Sequence, residues 1–473
     1  MKKVIFPVLF IFSSFVMLFA QNVNDRICRL GLTYEVSTNK LWGNHKPVVI
    51  SVYPYSPAEM AGLKQNDIIE KIDGISVLEI SEDDLGDRLN PADRDEVVLT
   101  VSNLSSEPRE ILVKKECKRS AAIAEEQLAS AFSMYSLEST VERTFVCPFN
   151  TMTTRDAVDL TKYKTFAFSS IDENNSQLEN SINASIRREL TNKGLRYSTY
   201  QPDLLVETYY LFDTNPNYKG RSASNKEVTY RYDFSTGKMV KLPFLNVNSG
   251  QSEGQYILQF GFRFLDQRMT PGRVLWECEA NELLNDSYSL DDYVRVHIPL
   301  MCMQYPYVKY NRNVLFRVSQ KSYNYTGISY NIDRLYEVAD VDPGSPAGKA
   351  GIAPGDRIEQ IEGKKLDRTT EEYTSAYKQF ITSTMKLRDK KTMFTDANGF
   401  TRCMFWDTFK YPQVAKTIQN PNNLTVFSYL YYFAPYVNPS GNNQITFTVQ
   451  RGNGAEEIGI RPEVRKELTI EIN

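Results

Sequence analysis

Through most of the chain, apolar and polar residues alternate in short runs, the two-residue period of half-buried strands rather than the 3.6-residue period of helices. One longer pattern occurs twice. Ser56-Pro57-Ala58, Ala61-Gly62-Leu63, Asp67-Ile68-Ile69 and Ile72-Asp73-Gly74 are matched at the same spacing by Ser345-Pro346-Ala347, Ala350-Gly351-Ile352, Asp356-Arg357-Ile358 and Ile361-Glu362-Gly363. Each copy predicts a short helix opened by proline and closed by glycine, then a turn and a strand, so one domain is repeated near opposite ends.

Around the first copy, strands are expected over Leu32 to Val36, Val48 to Val52, Asp67 to Ile72, Val97 to Val101 and Ile111 to Val113. A helix is expected after Ser81, with Asp84 in capping-box position and Leu85 and Leu89 on one face. Around the second, strands are expected through Tyr330, over Leu335 to Val341, Ile445 to Val449 and Glu457 to Ile460. Roughly 60 residues beyond a compact repeat lie between 364 and 440, rich in aromatics such as Met404-Phe405-Trp406 and Val426 to Phe433. Glu371 to Phe380 and Leu424 to Phe433 are equally good helices for that repeat.

The segment between the repeats predicts strands at Tyr163 to Phe168, Leu204 to Tyr210, Tyr256 to Phe264 and Val274 to Cys278. A helix with Leu178, Ile182, Ile186 and Leu190 on one face is expected to start from a Ser176/Glu179 capping box and end at Lys193-Gly194. Asp291 to Pro306 reads as a closing helix, and Ser120 to Ser130 matches no motif. The expected fold class is multidomain α+β: two small, partly open β-barrels with helices flank a central antiparallel sheet packed with helices. The segments are 25–118, 120–311 and 312–473.

Composition adds three points. Lys2 and Lys3 precede an apolar run to Ala20 and an abrupt polar turn at Gln21, which reads as a cleavable export signal over 1–20; a retained anchor is the other reading. No later run is long enough to span a bilayer. The net charge of −3, without a basic face, argues against a nucleic-acid partner. Six cysteines spread over 473 residues form neither a disulfide framework nor a CxxC metal site. Cys28 and Cys117 fall in the outer strands of the first repeat and are a candidate disulfide, with buried free thiols the alternative.

The repeated motif resembles the PDZ domain family. That resemblance implies that a peptide adds as a strand beside the second strand of each repeat, its end held by a loop of backbone amides. The residues implied in the first repeat are Leu30, Gly31, Leu32, Thr33 and Tyr34, with Leu85 and Leu89 on the helix. In the second they are Thr326, Gly327, Ile328, Ser329 and Tyr330, where Thr326 replaces a usually apolar residue. The middle segment is similar to the bacterial domain-of-unknown-function family 4136 at Tyr163-Lys164-Thr165-Phe166-Ala167-Phe168, Pro202-Asp203-Leu204-Leu205-Val206 and Gly272-Arg273-Val274-Leu275-Trp276-Glu277-Cys278. The combination implies an exported Gram-negative, Bacteroidetes-like envelope protein, periplasmic or peripheral to the outer membrane.

Candidate catalysis is sparse. His45 and His297 are the two histidines, and no Gly-x-Ser-x-Gly elbow accompanies either. No motif calls for a metal or cofactor. The chain is therefore expected to be non-enzymatic and to bind peptide segments or C-termini of envelope proteins. A scaffold with closed grooves and a divergent peptidase are the alternatives.

Overall fold

The computed structural model describes residues 26–104, 107–119, 122–129, 142–154, 158–220, 229–246, 250–331, 334–366, 382–390, 393–395, 401–403, 407–418, 436, 444–452 and 454–472. The export signal and both candidate helices of the 364–440 insertion lie outside the described residues. Among the described residues, no helix is long and apolar enough to cross a membrane. The molecule is multidomain and strand-rich α+β, and its chain divides into two compact units that do not follow sequence order.

One unit comprises 30–114, 140–320 and 467–473. In it the first repeat forms a sheet in the order Leu32–Val36, Pro47–Val52, Ile68–Ile72, Glu96–Ser102, Arg109–Lys114. Along Glu96–Ser102 the buried residues are Val97, Leu99 and Val101, as the alternation requires. They meet Leu85 and Leu89 of the helix Glu82–Leu89 and Ala58 of the helix Pro57–Met60 in one core. Ser81 caps the first of these helices by accepting from the Asp84 amide at 3.2 Å.

The central sheet of this unit runs Arg196–Tyr197, Thr165–Phe168, Leu204–Thr214, Tyr256–Asp266, Val274–Leu284, Glu142–Thr153, then 312–320 of the strand Arg312–Tyr325 and 467–472 of the strand Glu463–Ile472. It departs from the expected antiparallel sheet, because Thr165–Phe168 pairs in parallel with both its neighbours. The helix Ser176–Asn192 follows that strand and returns the chain for a parallel pairing, a connection a hairpin cannot make. Its Ile182, Ile186 and Leu190 pack with Phe260, Phe262, Phe264 and Trp276. The Ser176/Glu179 capping box does not form. The helix starts after Asn175, and Glu179 accepts instead from the Asp172 amide at 2.8 Å, bracing the preceding turn. Asp203 accepts from the Lys164 and Thr165 amides at 2.9 and 3.0 Å, which explains an aspartate at the mouth of two adjacent strands. The closing helix is Leu290–Cys302, shorter than expected.

The other unit comprises the described residues within 1–29, 115–139 and 321–466. Arg26–Arg29 and Glu116–Arg119 pair as a separate two-stranded ribbon, joined by a disulfide between Cys28 and Cys117. This ribbon is not part of the first repeat's sheet, where the sequence places both cysteines. The strands of the second repeat fall into two sheets. One runs Lys364–Lys365, Arg357–Ile361, Ile445–Arg451, Gly454–Ile460; the other runs Val338–Val341, Ile328–Asn331, Ala122–Ala124. Ala122–Ala124 comes from the stretch that matches no motif, and it belongs here rather than to the central segment.

Candidate peptide-binding grooves

In each repeat the loop before the second strand is fixed by the motif that follows. Gly31 has φ +80° and Gly327 has φ +89°, so both need the conformation that glycine tolerates. A Cβ on Gly31 would lie 2.1 Å from the Ser56 Cβ, and one on Gly327 2.2 Å from the Ser345 Cβ. The loops therefore seat directly on the serine that caps the short helix. Ala58 donates to the Leu30 carbonyl at 2.9 Å, and Ala347 donates to the Thr326 carbonyl at 2.9 Å. The two loops thus share one construction.

The aspartate of the motif plays the same part in both. Asp67 accepts from the Lys64 amide and from Arg109, each at 3.0 Å; Asp356 accepts from the Ala353 amide at 3.0 Å and from Arg451 at 2.8 Å. Burial raises the Asp67 carboxyl above its ordinary range, opposed by Asn103, Arg109 and the Lys64 amide. This aspartate holds the turn leading into the strand.

The grooves differ in what lies along them. In the first repeat Leu32–Val36 is an edge: among the described residues it pairs with Pro47–Val52 and with nothing on its other side. Its five residues are all half-buried, and Leu32, Tyr34 and Val36 lean onto the core. The Tyr34 hydroxyl reaches the helix at Gly86, where an added Cβ would lie 3.9 Å from it. Burial, then the Glu82 charge, raises the Tyr34 phenol. Leu85 and Leu89 are 4% and 3% exposed, so their surface is used by the repeat's own core; Leu32, Thr33 and Tyr34 form the accessible edge. Thr33 shares a 2.6 Å hydrogen bond with Ser51 on the neighbouring strand.

In the second repeat the same position is filled. Ala122–Ala124 lies antiparallel on Ile328–Asn331, with Ala124 opposite Ser329, Ile123 opposite Tyr330 and Ala122 opposite Asn331. The next residue, Glu125, places its carboxylate at the loop. The Thr326 amide donates to its two oxygens at 3.0 and 2.9 Å, and the Gly327 amide donates at 3.0 Å. The hydroxyls of Thr326 and Tyr436 also donate to it. Glu125, Thr326 and Tyr436 are 1%, 0% and 0% exposed. The sequence offers no motif for Glu125; its one signal is an acidic residue directly after the small and apolar run Ala122-Ile123-Ala124. Thr326, the departure from the usual apolar residue, supplies one of the donors.

His297 has no such exposure to a substrate. It is buried in the central core, where its Nδ1 lies 2.8 Å from the Tyr293 carbonyl and its ring stacks on Tyr293 at 3.9 Å. Desolvation, with Arg231 nearby, lowers its pKa well below the usual histidine value. Beside it Arg231 and Glu282 form a buried pair at 3.2 Å, and burial pushes the Cys147 thiol up to about 12. These groups are buried in the central core. Among the described residues, no group of three or more His, Cys, Asp and Glu side chains is placed to hold a metal ion.

A PDZ domain model matches 48–102 and 337–378, and a model described as a domain of unknown function, DUF4136, matches 151–307 between them. A crystal structure of a PDZ domain protein from Parabacteroides distasonis ATCC 8503 is 61% identical, covers 95% of this chain and 100% of its own, and superposes with a TM-score of 0.76. The chain belongs to this family of PDZ domain proteins. The HtrA3 PDZ domain bound to a phage-derived ligand, FGRWV, is 20% identical over 20% of this chain and 88% of its own, with a TM-score of 0.17. A PelC dodecamer subunit from Paraburkholderia phytofirmans is 11% identical over 32% of this chain and 94% of its own, with a TM-score of 0.17. No curated protein matches. The family models and the 61% identical relative establish both PDZ domains and the domain between them.

Proposed function

We propose that this protein is a non-enzymatic, exported envelope protein that captures carboxylate-terminated peptides by strand addition at its first PDZ domain. The observation that carries the reading is the edge Leu32–Val36, unpaired on its outer side among the described residues and preceded by the Gly31 loop. Backbone groups of that edge would supply affinity, and Leu32 and Tyr34 would meet alternate side chains of the ligand. The export assignment rests on the charged and apolar run before Gln21.

Screening the full mature chain against immobilised peptides, each with a free or an amidated C-terminus, tests this. Binding that is lost on amidation and is mapped by photo-crosslinking to Leu32–Val36 is the expected result. Failure of every free-acid peptide to crosslink there would overturn it. Sequencing the N-terminus of protein recovered from the periplasm tests export, with a start at Gln21 expected.

A structural reading is favoured by a separate observation. Ala122–Ala124 already joins the second repeat as a strand of the same chain, so that repeat serves to fasten the chain to itself.

A further inference from the structure

The geometry points to the second PDZ domain being self-ligated: Ala122–Glu125 is a built-in ligand whose side-chain carboxylate takes the place of a peptide terminus, closing a latent site for peptides that end in a small residue. This inference rests on the PDZ reading of the grooves, but it concerns the second site and its occupant.

Three features fit a ligand better than a random strand contact. The strap is antiparallel to Ile328–Asn331 and runs toward the loop, so Ala124 is its last strand residue before the carboxylate. The Glu125 oxygens take both amides of the loop, Thr326 and Gly327, which otherwise would be buried donors without a partner. Finally, the chain turns away at once: Gln127 accepts from the Ala124 amide at 2.8 Å, and 125–129 is helical. That turn lets an internal glutamate present its side chain where a free peptide would present its end. Ala124, opposite Ser329, is buried, so the strap's last strand residue presents a small methyl group to that position.

The strap is also tethered. Cys117, five positions before Ala122, is joined to Cys28 in the ribbon of the same unit. A covalently held ligand acts at an effective concentration on the order of millimolar, so a strap of micromolar intrinsic affinity handicaps any outside peptide roughly a thousandfold. The groove is therefore closed to peptides in trans while Glu125 holds.

The probe is a synthetic peptide bearing benzophenone and ending Ala-Ile-Ala, as free acid and as amide, added to the full mature chain and to Glu125→Ala. Crosslinks are located by mass spectrometry, and hydrogen exchange is followed at Ile328–Asn331. In the wild type the expected result is no crosslinking at Ile328–Asn331. In Glu125→Ala, exchange there accelerates and the free acid crosslinks at least about tenfold more than the amide. Wild-type crosslinking at Ile328–Asn331 would overturn the closure. Accelerated exchange in the variant without free-acid crosslinking would overturn the ligand mimicry, and unchanged exchange would overturn the anchoring role of Glu125. Should Glu125→Ala fail to fold, Glu125→Gln retains one acceptor and, compared at about pH 4.5 where Glu125 makes its full contribution, is expected to accelerate exchange by a smaller factor; its failure to do so counts against the inference. Crosslinks at Leu32–Val36 report the first groove alone, so the two readings fail separately.

Discussion

Replacing Glu125 by glutamine removes a titration from a closed pocket and should be visible as a change in how stability depends on pH. Glu125 is fully enclosed, and burial raises its carboxyl to about 7 against the pull of the Thr326 and Tyr436 hydroxyls and the Gly327 and Thr326 amides. Its ordinary value is 4.5. Between these values the folded state binds the proton more tightly than the unfolded state, so stability falls as pH rises. The contribution is complete below about pH 4.5, declines through pH 7 and is then lost; a shift of this size corresponds to about 3 kcal/mol. The titratable group in contact with it is Tyr436, whose phenol is itself held far above its usual range by burial and by Glu125, so it stays protonated throughout. Glutamine has the same reach and no titration. Local opening free energies at Ile328–Asn331, measured by hydrogen exchange from pH 4.5 to 8 on wild type and Glu125→Gln, give the comparison. The wild-type value relative to the variant should fall by about 3 kcal/mol across that range, since groups shared by both proteins cancel. A flat difference, or one that rises with pH, would refute the reasoning: it would mean that the four donors outweigh burial and hold Glu125 ionised.

Three further outcomes are expected. Glu282→Ala leaves the Arg231 charge buried and should cost about 3–5 kcal/mol in urea denaturation followed by the central domain's signal, whereas Arg231→Met with Glu282→Leu should recover most of that loss. Cys28→Ser with Cys117→Ser removes a link across a sequence separation of 89 residues and should lower stability by up to about 4–5 kcal/mol, read as a lower denaturation midpoint without reductant. Gly31→Ala forces a Cβ to 2.1 Å from Ser56 and strains a φ of +80°; a loss of at least about 1–3 kcal/mol and of free-acid peptide binding at Leu32–Val36 is expected, measured by thermal unfolding and crosslinking.

Local pattern carried much of the fold. The paired motif located both short helices, because proline after a capping serine and glycine after the last turn are requirements that neighbouring residues impose on one another. Alternation located Glu96–Ser102, Tyr256–Asp266 and Val274–Leu284, since a strand buried on one face must repeat every second residue. The Gly31 and Gly327 loops were located by the family resemblance, and φ near +80° accounts for the glycine at each. The capping box at Ser176 was not, since Asp172 competes for Glu179 and the sequence does not say which partner is nearer.

What tertiary structure decided was partnership. Sequence alone determined that two PDZ-like repeats flank a different domain. It could not determine that Ala122–Ala124 would leave the middle segment and lie on Ile328–Asn331, about 200 positions away, because backbone hydrogen bonds that pair strands bear no side-chain signature. Nor could it mark Glu125, for a carboxylate is an ordinary surface residue until a fold encloses it with two amides and two hydroxyls. The two repeats thus share one local code and differ through long-range contact: one edge is left without a neighbour among the described residues, and the other is filled by its own chain.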